Sequence, residues 1–401
     1  MKRILSIAPA FLLAACASLA PQQSLDTSST AKIDDAIQSY VNERKLPGAV
    51  YWMEHAGASS RYAYGKLSYE AGSADVNLDT LYDAASLSKV VSTAPSILIL
   101  AQEGKIALDA KLTDYFPECA NGGKEAITIR HLLTHSSGLP SGLPARPAWR
   151  GDAAAHALAC SQTVTNPPGT FFRYSDINYV LLGQLVQRVS GMPLSAFAQQ
   201  RIFTPLGMHS TGYLPLGRFV QDRIAPTQKA PATDGDKTAH WDLLPETVQQ
   251  GVVHDPTARF MGGVAGSAGV FTTAGDLARY ARMLLNGGEL DGVRILSAES
   301  VRLLTTTQSP PGLAKRAMGM DIDSPYARPR GTIFPVGSFG HTGFTGCILW
   351  VDPGSKTFYV FLSNRVYPDD KSNIVPLYSV LGTLTAQAAG LSAPSAPRSG
   401  E

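Results

Sequence analysis

The chain predicts an α+β fold, with antiparallel strands near both ends of the sequence and helices between them. Three observations carry this. Residues 49–66, 345–352 and 357–364 are rich in β-branched and aromatic residues, with Gly or Pro between the runs. Segments near 86–103, 127–135, 176–190, 194–202, 274–286 and 297–306 repeat their apolar residues at helical spacing. The chain of 401 residues is 44% apolar and 16% charged, enough to bury a real core in one large or two intertwined domains.

In chain order, M-K-R-I-L-S-I-A-P-A-F-L-L-A-A-C places two cations before a short apolar stretch ending in small residues. That is the pattern of a secretion signal over 1–15, too short to span a membrane as a mature helix. Its end, Leu13-Ala14-Ala15-Cys16, resembles the bacterial lipobox, which implies cleavage before Cys16 and lipidation of its thiol. Ala17 after that cysteine implies the outer membrane if the source is Gram-negative. The expectation is a periplasmic lipoprotein held at the membrane through its N-terminal lipid. Residues 16–30 read as a Pro- and Ser-containing tether.

Order is expected from Ala31, where Ile33, Ala36, Ile37, Tyr40 and Val41 recur at helical spacing after Ser29 or Thr30 as a cap. The Gly-, Pro- and Asp-rich stretches 138–170 and 205–270 read as long loops, a length that commonly lines a cleft. Residues 391–401 read as a disordered tail. Net charge is +2 with no Lys/Arg run, so nucleic acid is not expected as a partner. Cys119, Cys160 and Cys347 remain after Cys16, and spacing leaves their pairing open, with Cys119 and Cys160 able to join in an oxidising compartment. No CxxC occurs, so a structural zinc site is not expected, and the reading of the chain calls for no metal or organic cofactor.

Chemistry enters with A-A-S-L-S-K at 84–89. Positions i and i+3 share a helix face, so Ser86 and Lys89 can meet there, with the amine among Val90, Val91 and Ala94. Farther along come F-F-R-Y-S-D-I-N-Y at 171–179 and F-G-H-T-G-F-T-G at 339–346. Ser86-Leu87-Ser88-Lys89, Tyr174-Ser175-Asp176 and His341-Thr342-Gly343, in that order, resemble the three motifs of the serine β-lactamase and penicillin-binding protein superfamily. The likeness is closest to class C β-lactamases, low-molecular-mass D,D-peptidases and family VIII carboxylesterases. It extends to I-T-I-R-H-L-L-T-H-S-S-G-L-P at 127–140, G-S-A-G-V-F-T-T-A-G-D-L-A-R-Y at 266–280 and L-W-V-D-P-G-S-K-T-F-Y-V-F-L-S-N-R at 349–365, and so covers roughly residues 31–385.

The resemblance implies a β-lactamase/transpeptidase-like domain over 31–390, with a helical and loop insertion at about 116–270 and the active site between sheet and insertion. It implies Ser86 as nucleophile at a helix start, Lys89 as proton acceptor or electrostatic partner, and Tyr174 as second base. The strand carrying Thr342 and Gly343 is expected to bind substrate backbone, and the amides of Ser86 and Phe344 to form an oxyanion hole. No G-x-S-x-G elbow occurs, so the α/β-hydrolase route to the same chemistry has no support.

Four departures narrow the expectation. Asp176 stands where Asn is common, and a carboxylate beside Lys89 favours the charged amine and moves the base role toward Tyr174. His341 stands where β-lactamases have Lys, which removes a fixed cation at neutral pH. Asp369 and Asp370 follow S-N-R-V-Y-P and repel a substrate carboxylate unless paired, and Phe344 is bulky where a small residue is usual. These features argue against an efficient β-lactamase and favour a D,D-peptidase or carboxylesterase acting on cell-wall peptide or small esters, with β-lactams as possible acylating ligands. The alternatives are a class C-like β-lactamase, a non-catalytic wall-fragment binder and a metal-dependent hydrolase.

The remaining features read as structural. His131 and His135 stand four apart, but Leu132 replaces the acid of a metal motif, so they read as core or turn histidines. His254-Asp255 edges the cleft or forms a turn, Cys347 reads as a buried thiol, and Met318, Met320, Tyr326 and Phe334 read as core. Pro95 is expected to kink the nucleophile helix.

Overall fold

The structure, a computed structural model, describes residues 24–229 and 248–393. The signal segment, Cys16, most of the expected tether and residues 394–401 of the tail lie outside the described residues. Order begins before Ala31. Asp26, rather than Ser29 or Thr30, accepts from the Ser28 and Ser29 amides and caps a helix over Thr27–Asn42.

Seven strands form one antiparallel sheet in the order Lys315–Arg316, Asp321–Asp323, Phe339–Gly343, Cys347–Asp352, Thr357–Ser363, Gly48–His55, Ala58–Gly65. The N-terminal hairpin thus adds to the C-terminal strands, with Tyr51 opposite Phe361. The central strands are buried on both faces, so alternate side chains enter two different cores. Tyr51, Met53, Trp350 and Phe361 pack with Ile33, Ile37, Leu377 and Leu381 of the Thr27–Asn42 and Val375–Ala388 helices. Val50, Leu349, Val360 and Leu362 face the larger core, which holds Leu277 and Ala281 of the Ala274–Leu285 helix and the nucleophile helix.

The helices at Asp176–Ser190, Ala274–Leu285 and Ala298–Thr305 fall where periodicity placed them. Two of the expected helices are interrupted by a wide turn. The nucleophile helix opens with a π turn over Lys89–Thr93 before its α-helical run Ala94–Gln102. Pro95 sits in the first turn after it, and the Val90 carbonyl one turn back accepts from the Tyr280 hydroxyl at 2.7 Å. Segment 194–202 likewise divides into Leu194–Ala198 and a π turn at Gln199–Phe203.

The two long stretches read as loops carry structure of their own. Stretch 138–170 contains the Ala-rich helix Asp152–Ser161, whose Cys160 is joined to Cys119 in a disulfide. Within 205–270, Gly212–Tyr213 pairs with Val270–Thr272, which also pairs with Tyr82–Asp83 just before the nucleophile. The insertion is therefore stitched to the nucleophile turn by a small sheet as well as by packing. Among the described residues no helix is long and apolar enough to cross a membrane.

Candidate active site

Ser86, Tyr174, His341, Thr342, Gly343 and Phe344 line one cavity of about 540 Å³ between the sheet and the insertion. They come from three places: the turn after Tyr82–Asp83, the segment just before Asp176–Ser190, and the end of strand Phe339–Gly343. Strand Tyr82–Asp83 leads through Ala84 and Ala85 into Ser86, and Ala85 takes a left-handed φ of 46°, an uncommon state for a residue with a Cβ. This kink turns the chain from strand to helix at the serine.

Lys89 lies one turn on, 1% exposed, with its Nζ donating to Ser86 Oγ at 3.0 Å and to the Ser267 carbonyl at 2.8 Å. The Ser267 carbonyl reaches it because two glycines let backbones cross. A Cβ on Gly266 would stand 1.9 Å from the Tyr179 carbonyl, and one on Gly183 would stand 2.9 Å from Gly266. The third partner is Asp176 at the start of the Asp176–Ser190 helix, whose Oδ1 is 2.7 Å from Lys89 Nζ. Burial alone would push the amine down, but the charge of Asp176 and the nearby Tyr174 outweigh it and hold Lys89 above its ordinary pKa. Lys89 is thus a fixed cation.

Tyr174 lines the cavity beside Ser86, and the Lys89 ammonium lies 5.2 Å from its ring centre. Burial raises the phenol's pKa, against the pull of Lys89, so it stands protonated at neutral pH. His135 stacks on its ring at 4.4 Å and 27°. The imidazole Nδ1 accepts from the Ser175 amide and Asn178 Nδ2, which places the proton on Nε2. Burial, then Arg316, Lys89 and His341, keep His135 neutral. Its neighbour His131 closes a capping box with Thr128 instead.

His341 donates from Nδ1 to the Thr342 carbonyl at 2.8 Å, and burial, Arg316 and Lys89 hold it well below its ordinary pKa. It is neutral, as its reference value implied. A cation nevertheless reaches the pocket wall from another strand. Arg316, 0% exposed, lines the same cavity as Ser86 and Thr342. Its Nη2 donates to the Gly319 carbonyl and its Nη1 lies 3.3 Å from Asp321 Oδ2, while Nε and Nη1 make no hydrogen bond among the described residues.

At the other side of the cavity, Arg365 donates to the carbonyls of Phe344, Asp370 and Ser372 and holds that loop against the sheet. Asp369 is paired with Lys371 at 2.9 Å. Phe344, 54% exposed, lies between the Arg365 guanidinium and the His254 ring, which stacks on it at 5.6 Å. His254 is buried against Phe344 and is not among the residues that line the cavity, and Asp255 caps the short Pro256–Phe260 helix, in line with the turn reading. Tyr326, 48% exposed, also borders the cavity, 5.2 Å from Tyr174, whereas Met318, Met320 and Phe334 are core as expected.

The Beta-lactamase family model matches residues 33–379. The chain belongs to the Beta-lactamase family. "Putative D-alanyl-D-alanine carboxypeptidase" of Escherichia coli (strain K12) is 34% identical to it over 308 residues, covering 71% of this chain and 69% of that relative. A penicillin-binding protein homolog from Caulobacter crescentus superposes with a TM-score of 0.70 at 22% identity, over 92% of this chain and 99% of that one. A family VIII carboxylesterase superposes at 0.68 with 21% identity, over 91% and 99%. The fold is β-lactamase/transpeptidase-like, and the chain is a serine hydrolase of the family.

In this Beta-lactamase family member the sequence reading missed three groups at the site. Arg316 carried a legible signal, a cation in the apolar run Ala317, Met318, Met320 with Asp321 close behind. His135 is a core histidine as expected, and its link to Tyr174, which no local signal shows, depends on the 38 residues between them folding back. The Ser267 carbonyl had no side-chain signal at all. Among the described residues, the Cys119, His156 and Cys160 group is close enough to hold a metal ion, but its two thiols are spent in the disulfide.

Proposed function

We propose that this hydrolase forms an acyl-enzyme on Ser86 and acts as a D,D-peptidase of the penicillin-binding type, removing a terminal residue from cell-wall peptide. One observation carries the choice: Arg316 lines the cavity that holds Ser86 and Thr342, and its Nε and Nη1 make no hydrogen bond among the described residues. A guanidinium is charged at every relevant pH and matches a carboxylate in shape. A substrate ending in a free carboxylate meets it there, with Thr342 beside it, and a neutral ester does not need it. The carboxypeptidase named among the relatives supports the same reading.

In the first step Ser86 Oγ attacks the scissile carbonyl. The serine proton passes through the Tyr174 hydroxyl to the leaving nitrogen, so the O–H and C–N bonds break while the ester O–C and leaving-group N–H bonds form. Lys89 stays charged and stabilises the tyrosine oxygen as it loses its proton, and the amides of Ser86 and Phe344 receive the oxyanion. Water then repeats the path to release the acid. The Leu13–Cys16 pattern supports, under the same reading, a lipid anchor and a periplasmic location if the source is Gram-negative.

The test is hydrolysis of a D-alanyl-D-alanine peptide, a short-chain nitrophenyl ester and a chromogenic cephalosporin by native protein and Ser86→Ala. Peptide turnover lost in the variant supports the reading. Ester turnover alone makes the protein a carboxylesterase, rapid cephalosporin turnover makes it a β-lactamase, and activity surviving in Ser86→Ala overturns the mechanism.

A further inference from the structure

Asp83, three residues before Ser86, is 2% exposed and carries a carboxylate that no Lys, Arg or His within salt-bridge distance meets among the described residues. Its two oxygens are used differently. Oδ1 accepts from the Ala85 amide at 2.8 Å, and Oδ2 accepts from the His254 amide at 2.7 Å. Its own carbonyl accepts from Thr345 Oγ1 at 2.7 Å, with Cys347 Sγ at 3.5 Å. One residue thus ties together three segments: the turn that presents Ser86 and the loop whose His254 ring stacks on Phe344, each through a backbone amide, and the turn just after Phe344, through the Thr345 hydroxyl.

Burying an ionised carboxyl without a cation costs more than burying an amide of the same size, so a reason for the acid is needed. The geometry supplies one. Two N–H groups converge on the side chain from different segments, and an asparagine has one acceptor oxygen for them and turns its NH₂ toward the second donor. The Ala85 bond also restrains a residue at φ 46°, the kink that aims the serine. The adjacent strand approaches closely, since a Cβ on Gly343 would stand 2.5 Å from the Ala84 carbonyl. The Ser86 turn and the Phe344 turn are therefore held against each other through residue 83, by its side chain at Ala85 and by its main-chain carbonyl at Thr345.

We propose that Asp83 is a positioning residue for the oxyanion hole: it fixes the backbone amides of Ser86 and Phe344 relative to each other, through Ala85 on one side and Thr345 on the other. This inference rests on the proposed acyl-enzyme mechanism. It concerns the developing negative charge alone, so it acts on the transition state more than on substrate binding.

Two sets of variants test it, with nitrophenyl acetate as substrate and phenylboronic acid as a tetrahedral mimic. Asp83→Asn leaves one of the two amides without an acceptor. Thr345→Val removes the hydroxyl that ties down the Asp83 carbonyl, and Thr345→Ser keeps it. Thr345→Val is expected to lower kcat about 10- to 100-fold with KM within about 2-fold of native, and to weaken boronate inhibition in proportion. Thr345→Ser restores both to within about 3-fold, and folded Asp83→Asn shows the same kcat-specific loss. If Asp83→Asn fails to fold, the Thr345 pair decides alone. Thr345→Val with native kcat, or with kcat and boronate affinity that do not move together, overturns the inference. Hydrolysis persisting in Ser86→Ala instead sinks the mechanism beneath it, so the two failures are distinct.

Discussion

Lys89 Nζ lies 2.7 Å from Asp176 Oδ1, and this contact sets the protonation state of the site. A lysine 1% exposed would ordinarily shed its proton, yet the carboxylate holds the charge in place. A lysine raised in the folded state contributes stability below its unfolded pKa and loses it only as the pH rises through the folded value. Replacing Asp176 by Asn removes that support, and the buried amine becomes easier to neutralise. Activity of Asp176→Asn is expected to fall as the pH rises from 7 to 9, over a range where native activity is level, because the variant loses its cation. Stability drops by about 2 kcal/mol, less than for a fully buried pair because Asp176 is 35% exposed. Superimposable pH–rate profiles of the two proteins would refute the fixed-cation reading.

Arg316 separates substrates by charge. Arg316→Lys keeps a cation opposite Asp321 but loses the planar fork, and kcat/KM for a peptide ending in D-alanine is expected to fall about 10- to 100-fold. Turnover of a neutral nitrophenyl ester stays within about 3-fold. Equal losses on both substrates would show that Arg316 supports the pocket without reading the carboxylate.

His254 supplies a pH signature in stability. Burial, with help from Arg259 and Arg365, lowers its pKa to about 3. The unfolded chain binds a proton near pH 6.5 that the folded state refuses, so stability from this group is present above pH 6.5 and lost as the pH falls toward 3. His254→Phe keeps a ring against Phe344 and removes the titration. Denaturant melts between pH 4 and 6 are expected to show a slope with pH smaller by about 1.4 kcal/mol per unit in the variant. Equal slopes would place the histidine in water in the native state.

The Cys119–Cys160 bond closes a loop with a sequence separation of 41 and fastens the Asp152–Ser161 helix to the rest of the insertion. Chain-entropy reasoning puts its stabilisation at about 4 kcal/mol as an upper figure. The double variant Cys119→Ala/Cys160→Ala should therefore denature at clearly lower urea, with kcat at 25 °C within about 2-fold of native, since neither sulfur borders the cavity. Unchanged urea stability would mean that packing alone holds the helix.

Most of the scaffold was legible because its signals are local. The run at 176–190 shows its period within itself, and the helix follows to the residue. The three-motif order was equally plain, and Ser86, Tyr174, His341 and Thr342 meet in one cavity. What escaped depends on chain returning from a distance. The helix Val375–Ala388 hides its period behind Pro376, Gly382, Thr383 and Thr385, and it is recognisable only against the sheet face it covers. Asp152–Ser161 was lost among glycines and prolines, although its alanines favour a helix. Arg316 escaped because the cation was sought at position 341, in the strand itself, and it arrives from the neighbouring edge of the sheet.

The crossing of Gly183 and Gly266 gives one of the hydrogen bonds of Lys89 a mechanical origin. The carbonyl of Ser267 reaches the ammonium only while two bare backbones slide past each other, with the Tyr179 carbonyl where a methyl group would go. A single carbon added at residue 266 would move an electrostatic contact without touching any ionisable group. Scans that look for catalytic losses among acids, bases and hydroxyls will find part of this site, and another part will surface as alanines that are too large.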